Sequence, residues 1–264
     1  MSGSLRIGIV GGAGWLGCAL AKAILNEGVV KADSLALSYR RRKPTDLPDV
    51  FCTAHSQELA DKSDVVIVSV RPEDWPSLDV DVDGKLMISV MAGVKIGSLS
   101  DKHSTNRIVR TLPNAGAEVG LSYTPWVASP AVSQNDRAVV RSIFSACGIE
   151  DEVSNEAQID YLTGLSGSGP AFPALLASAM IDHAKSQGLS EAVAKRAVIA
   201  VLKGTGRLFE LRDHCPNDLV QTFVDYRGTT AAALLAMRHA GFDAAVAAGL
   251  SAAFTKSVSM GDAS

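Results

Sequence analysis

The chain has 264 residues, 47% of them hydrophobic and 20% charged, with a net charge of −3 and a pI near 6.0. That is ordinary globular composition, with core enough for one large domain or two modest ones. It argues against a global affinity for nucleic acid or an anionic membrane, and no run of about 18 uncharged apolar residues marks a transmembrane helix. The opening MSGSLRIGIV enters a strand pattern too early for a secretory leader. Cys18, Cys52, Cys147 and Cys215 form no CxxC pair, and His55, His103, His183, His214 and His239 show no ligand spacing. Reduced thiols, a cytoplasmic setting and no metal are therefore expected.

Leu5 to Val10 is apolar apart from Arg6 and Gly8, the pattern of a strand buried on both faces. It breaks into Gly11-Gly12-Ala13-Gly14-Trp15-Leu16-Gly17, and a helical apolar pattern then runs to Leu25. Gly12, Gly14 and Gly17 have the spacing G-x-G-x-x-G. Between a strand and a helix that spacing makes a dinucleotide cradle. One glycine serves the tight turn, one lets backbone N–H groups approach a pyrophosphate, and one lets helix and strand touch. The free donors of the helix start face the phosphates, so Gly12, Ala13, Gly14, Trp15 and Leu16 are the first candidate cofactor contacts.

Ser34–Tyr39 reads as the second strand, and its end decides which cofactor binds. An NAD site places Asp or Glu there, roughly 20 residues after the glycines, for the ribose 2′-hydroxyl. This chain has Ser38-Tyr39-Arg40-Arg41-Arg42. An arginine run is ordinarily a solvated turn, but a hydroxyl and guanidinium forks at this position suit a 2′-phosphate. Ser38, Arg40 and Arg41 therefore point to NADPH, with NADH as the alternative.

Phe51–His55 is a short strand candidate, followed by a helix through Asp61. Asp64–Val70 is β-branched and apolar and ends at Val70-Arg71-Pro72. Lys85–Met91 repeats the pattern and ends at Ala92-Gly93, and Arg107–Leu112 ends at Pro113-Asn114. The carboxyl ends of parallel strands are the ligand side, so Val70, Arg71, Pro72, Ala92, Gly93 and Asn114 join the candidate cofactor site. Strand and helix alternate to about residue 150, which predicts a doubly wound α/β domain over 1–153.

From Glu156 to Ser259 no strand is evident, and residues 154–264 are predicted to be all-helical. Leu165-Ser166-Gly167-Ser168-Gly169-Pro170 is a donor-rich turn opening a helix. On that helix Phe172, Leu175, Leu176, Ala179, Met180 and His183 share one face. Val193, Ala197, Ala200, Val201, Gly204 and Leu208 share a face of the next helix, with Ser190 as its cap. Pro216 opens a helix that Asp225-Tyr226-Arg227-Gly228-Thr229-Thr230 interrupts, and helices over 231–240 and 242–260 follow. The small residues on these faces permit close helix contacts and suggest pairing with a second copy.

The pieces GIVGGAGWLG, VSVRPED, ISVMAGVKIGSL, RTLPN, LTGLSGSGPAF and RGTTAAAL, in this order, resemble the pyrroline-5-carboxylate reductase family over essentially the full length. The resemblance implies an N-terminal Rossmann domain, a C-terminal helical substrate and dimerisation domain, and a homodimer or higher homo-oligomer. It also implies NAD(P)H-dependent reduction of a cyclic imino acid, pyrroline-5-carboxylate, to proline. Thr230 falls on the family's threonine beside the imine, and as a residue at a helix start it is also a candidate cap. Asp225, Arg227, Gly228, Thr229 and Thr230 are then the candidate substrate contacts, with free N–H groups for the carboxylate. Three departures stand out: DYRGTT for the family's S-P-G-G-T-T, PNAG for P-N-T-P, and VRP for V-K-P. They leave open a paralogue acting on a related imine, or an NADPH-binding regulator without turnover. A β-hydroxyacid dehydrogenase is disfavoured, because Lys185 lies near the end of its helix without an N-x-x-K pattern.

Overall fold

The computed structural model describes residues 4–211 and 215–262, so His214 lies outside the described residues. The chain divides into two compact units: one runs to Ser168 and takes in the segment from Ala252 onward, and the other is Gly169–Ser251.

In the first unit, β1 (Ile7–Val10), β2 (Leu35–Ser38), β3 (Phe51–Thr53), β4 (Val65–Val68), β5 (Leu86–Ser89) and β6 (Ile108–Thr111) join β7 (Ser122–Ala128) and β8 (Gly148–Glu152). They form one eight-stranded sheet in the order β3-β2-β1-β4-β5-β6-β7-β8. Only β6 and β7 pair antiparallel. The order reverses between β1 and β4, where a doubly wound sheet opens its ligand crevice. Alternate residues of these continuous apolar strands serve two cores. Ile9, Leu37, Ile67 and Ile88 pack on the side of α1 (Trp15–Asn26), whereas Val10, Ala36, Val68 and Met87 pack with Leu59 of α2 (Ser56–Asp61) and Leu99 of α3 (Ile96–His103). Such burial on both faces is what an uninterrupted Val/Ile/Leu strand encodes.

Strands β7 and β8 extend the sheet beyond the six that the apolar runs indicate. β8, GIEDE, is a mostly exposed acidic edge strand, so neither alternation nor burial marks it in the sequence. Between them α4 (Gln134–Ser145) starts at a reciprocal capping box of Ser133 and Asp136. The segment expected as an open donor-rich turn is wound instead. α5 (Glu156–Leu162) runs into a π-helical turn over Thr163–Gly167, in which Ser166 and Ser168 spend their hydroxyls on the carbonyls of Leu162 and Thr163.

The second unit holds α6 (Ala171–Ser186), α7 (Glu191–Leu211), α8 (Pro216–Asp225) and α9 (Thr229–His239), and α10 (Phe242–Asp262) starts in it. α6 packs on α7, and α8 on α9. The apolar stripes of α6 and α7 are covered only in part within this chain. On α6 the partly covered residues are Leu176, Ala177, Ile181 and Ala184, while Leu175 is 74% exposed. On α7 the buried residues are Ala194 and Val198, while Val201 is 53% exposed. These helices are apolar on more than one face, and within one chain only one face finds cover.

Candidate functional site

A cavity of about 540 Å³ opens at the carboxyl ends of β1, β2 and β4, lined by residues of the turns that follow each strand. It brings together Ala13, Gly14, Ser38, Arg40, Arg41, Val70 and Arg71 of the sequence candidates. The turn after β1 explains its glycines. Gly11 has φ +78°, and a Cβ on Gly17 would lie 2.6 Å from the Gly11 oxygen, so α1 can start only where side chains are missing. Gly11, not Gly12, takes the left-handed conformation. Gly12 is buried beneath the loop, where a Cβ would meet Leu37 at 2.7 Å.

These residues fit a dinucleotide. Gly14 caps α1 with no side-chain bond, and no acid stands in the first turn, so the helix-start donors have no internal anion competing for them. Ser38 is buried and accepts the Gly11 N–H at 3.2 Å, tying the end of β2 to the glycine turn. Arg40 and Arg41 line the opposite wall. Arg40 Nη1 donates to Asp74 Oδ1 at 2.7 Å across the mouth, and Arg41 makes no ion pair among the described residues. Arg71 pairs with Glu73 at 3.3 Å in its own turn. Sequence reasoning missed Asp74, although an acid two residues after the Pro that ends β4 is a usable signal. Trp15 is half exposed, and its indole donates to Glu118, while Leu16 packs on the core.

Gly12, Trp15 and Leu16 do not line this cavity, and neither do Pro72, Ala92, Gly93 and Asn114. Pro72 shapes the turn, its carbonyl accepting the Trp75 N–H at 3.3 Å. Gly93, at φ +79°, faces the end of α10, and a Cβ there would stand 2.7 Å from Met260 Cβ. The small size of Gly93 therefore serves the return of the C-terminal helix to the sheet as well as any ligand, and the neighbouring Ala92 is half-buried. Asn114 caps the 3-10 turn Ala115–Val119, accepting from the Gly116 N–H at 2.8 Å and donating to the Ser166 carbonyl at 3.0 Å.

Beneath these loops lies a buried ion network that sequence reasoning missed. Arg110, in the otherwise apolar β6, is 1% exposed and donates to Glu156 at 3.1 Å and to Asp160 at 2.5 Å. Glu156 also accepts the Ile96 N–H at 3.0 Å, holding the start of α3, and Asp160 accepts from Ser257 of α10 at 3.1 Å. A charge inside the run RIVRTL was the available signal.

Within the second unit the bend at 225–230 is a helix start. Gly228 caps α9 without a side-chain bond, and Thr229 and Thr230 are its first two residues, exposed and with no hydroxyl bond among the described residues. Neither threonine is the cap. Asp225 accepts from Gln221 at 2.8 Å and makes no pair with Arg227. Arg227 is exposed at φ +56°, a conformation that favours glycine. The arrangement offers unpaired N–H groups, hydroxyls and a guanidinium on one short bend.

Two family models match the chain: one described as pyrroline-5-carboxylate reductase dimerisation, over residues 156–260, and one described as NADP oxidoreductase, coenzyme F420-dependent, over residues 6–93. The chain is 30% identical to the pyrroline-5-carboxylate reductase of Aquifex aeolicus over 92% of each chain. It is 29% identical to that of Synechocystis over 98% of this chain and 99% of the relative. The crystal structure of Plasmodium falciparum pyrroline carboxylate reductase with NADP bound superposes with a TM-score of 0.86 at 30% identity, covering 97% of this chain and 98% of the other.

Proposed function

This chain belongs to the pyrroline-5-carboxylate reductase family, and from that premise we propose that it reduces 1-pyrroline-5-carboxylate to L-proline with NADPH. The observation that carries the reading is the glycine cradle facing a wall of arginines, in a chain similar to such reductases along its whole length. When bound, NADPH supplies the hydride. The chain supplies binding and orientation. The helix-start donors at Ala13–Leu16 hold the pyrophosphate, and Ser38, Arg40 and Arg41 hold the 2′-phosphate. The strand-end segments Val70–Pro72 and Ala92–Gly93, with Asn114, shape the remainder of the cofactor site.

The imine is held by the bend. N–H groups of Gly228, Thr229 and Thr230 take the carboxylate, and the Thr230 hydroxyl hydrogen-bonds the ring nitrogen. A cyclic imine is basic enough to be protonated without a strong dedicated acid, which accords with a hydroxyl in that place. The functional division falls at residues 1–153 for cofactor binding and 154–264 for substrate binding and self-association. The exposed Leu175, Val201 and Leu235 support a homodimer or higher homo-oligomer, because a single chain leaves these side chains in water. The four cysteines are all free thiols, which supports a reducing, cytoplasmic setting.

A second reading, reduction of a related imino acid, is favoured by one observation: Arg227 holds a strained place in the bend and has no ion pair among the described residues. A panel of 1-pyrroline-5-carboxylate, 1-pyrroline-2-carboxylate and linear imines with both nicotinamide cofactors separates the two. NADPH oxidation fastest with the 5-carboxylate supports proline formation, and a preference for another imine supports the second reading. Tight NADPH binding with no turnover on any acceptor contradicts both.

A further inference from the structure

The wall of the cofactor cavity carries a carboxylate where a 2′-phosphate site is expected to be purely basic. Asp74 lines the cavity and receives Arg40 Nη1 at 2.7 Å, and the two residues come from opposite sides of the mouth. The two partners differ in how firmly they are held. Arg40 opens the segment 40–50, which has no helix or strand before β3, and its side chain is 67% exposed. Asp74 sits in a fixed turn. Its N–H donates to the Arg71 carbonyl at 2.9 Å, and its own carbonyl accepts the Ser77 hydroxyl at 2.8 Å. The next residue, Trp75, is 4% exposed and donates its indole N–H to the buried His103 at 2.9 Å.

We propose that Asp74 is a positioning residue for cofactor specificity, holding the exposed Arg40 guanidinium by one edge so that its other edge faces the 2′-phosphate. An arginine has five N–H donors in a rigid fork. With Nη1 given to Asp74, Nε and Nη2 stay available and remain coplanar, the pair a two-point grip on a phosphate requires. The carboxylate also lowers the entropy that Arg40 loses on binding, because the side chain is already held in place. Arg41, without an acidic partner among the described residues, leaves the wall net basic. The inference rests on the NADPH reading above and adds to it a residue that never touches the phosphate.

The test is calorimetric titration of the full chain, without substrate, with 2′,5′-ADP and with 5′-AMP. The proteins are wild type, Asp74→Ala, Asp74→Asn, Arg40→Ala and the Asp74→Ala/Arg40→Ala double variant, each checked by thermal melting. An exposed ion pair supports an effect of about two- to five-fold. Asp74→Ala is expected to weaken 2′,5′-ADP by about that factor and leave 5′-AMP unchanged, with Asp74→Asn intermediate. In the Arg40→Ala background the Asp74 effect should vanish, since the coupling runs through that one guanidinium. Tighter or unchanged 2′,5′-ADP binding in Asp74→Ala, equal loss for both ligands, or the same loss without Arg40 overturns the role of Asp74. If Arg40→Ala itself fails to distinguish the two ligands, the NADPH reading at this arginine fails first.

Discussion

Arg110 of β6 donates to Asp160 of α5 at 2.5 Å, in a place where the guanidinium is 1% exposed and its Nε finds no partner among the described residues. The pair links the sheet to α5, and through Ser257 to α10, while Glu156 carries the link to the start of α3. Removing one member of a buried pair leaves the other charged and unsatisfied, which costs about 3–5 kcal/mol. Asp160→Ala leaves Glu156 on the same guanidinium, so the urea unfolding free energy is expected to fall by less than that, about 1.5–3 kcal/mol, with little dependence on salt. A loss below about 1 kcal/mol would show that the network carries little of the stability.

Replacing Arg40 and Arg41 together with neutral residues is expected to raise the KM for NADPH at least tenfold and barely change that for NADH. Loss of one charge-assisted phosphate contact is worth about 1.5–3 kcal/mol, which corresponds to about ten- to a hundredfold. Equal effects on both cofactors in steady-state kinetics would place the arginines outside the phosphate site.

Thr230→Val keeps the shape of the side chain and deletes its hydroxyl. A hydrogen bond to a charged group is worth about 1.5–3 kcal/mol, so kcat/KM for the imine is expected to fall about tenfold or more. Thr230→Ser should restore most of it, and NADPH affinity should stay at the wild-type value. Wild-type turnover in Thr230→Val would remove the hydroxyl from the reaction.

Much of this architecture is legible because parallel strands buried on both faces write themselves as unbroken apolar runs, as β1, β4 and β5 do, and because the Gly11–Gly17 turn has so few solutions. β8 is invisible for the opposite reason: an acidic edge strand owes its pairing to the backbone of β7 and its side chains to water. The arginine turn could be placed from its offset after the glycines. Its tie to Asp74 could not, since that contact spans 34 residues. Which face of α6 and α7 a neighbour covers within the chain was not legible, because Leu175 and Val201 are as apolar as Leu176 and Val198 and periodicity alone does not distinguish them.

His103 is buried between Trp75 and the Val80 carbonyl. The indole N–H can only donate, so Nε2 accepts and the ring proton sits on Nδ1, donating to Val80. Burial holds the imidazole below its usual value of 6.5, and Lys102 adds to this. The unfolded chain therefore binds the proton more readily than the folded one. The contribution is present in full above about pH 6.5 and is lost as pH falls below it. Urea midpoints measured between pH 7.5 and 5 should decline, and the decline should be shallower in His103→Gln. Identical slopes in the two proteins would assign the acid sensitivity to other groups.

The most direct test of the proposed reaction follows the hydride. Purified enzyme incubated with 1-pyrroline-5-carboxylate and NADPH deuterated on the transferring face of C4 should yield proline one mass unit heavier, with the label on C5. Proline without deuterium, or none formed by a protein that still binds NADPH, would contradict the assignment.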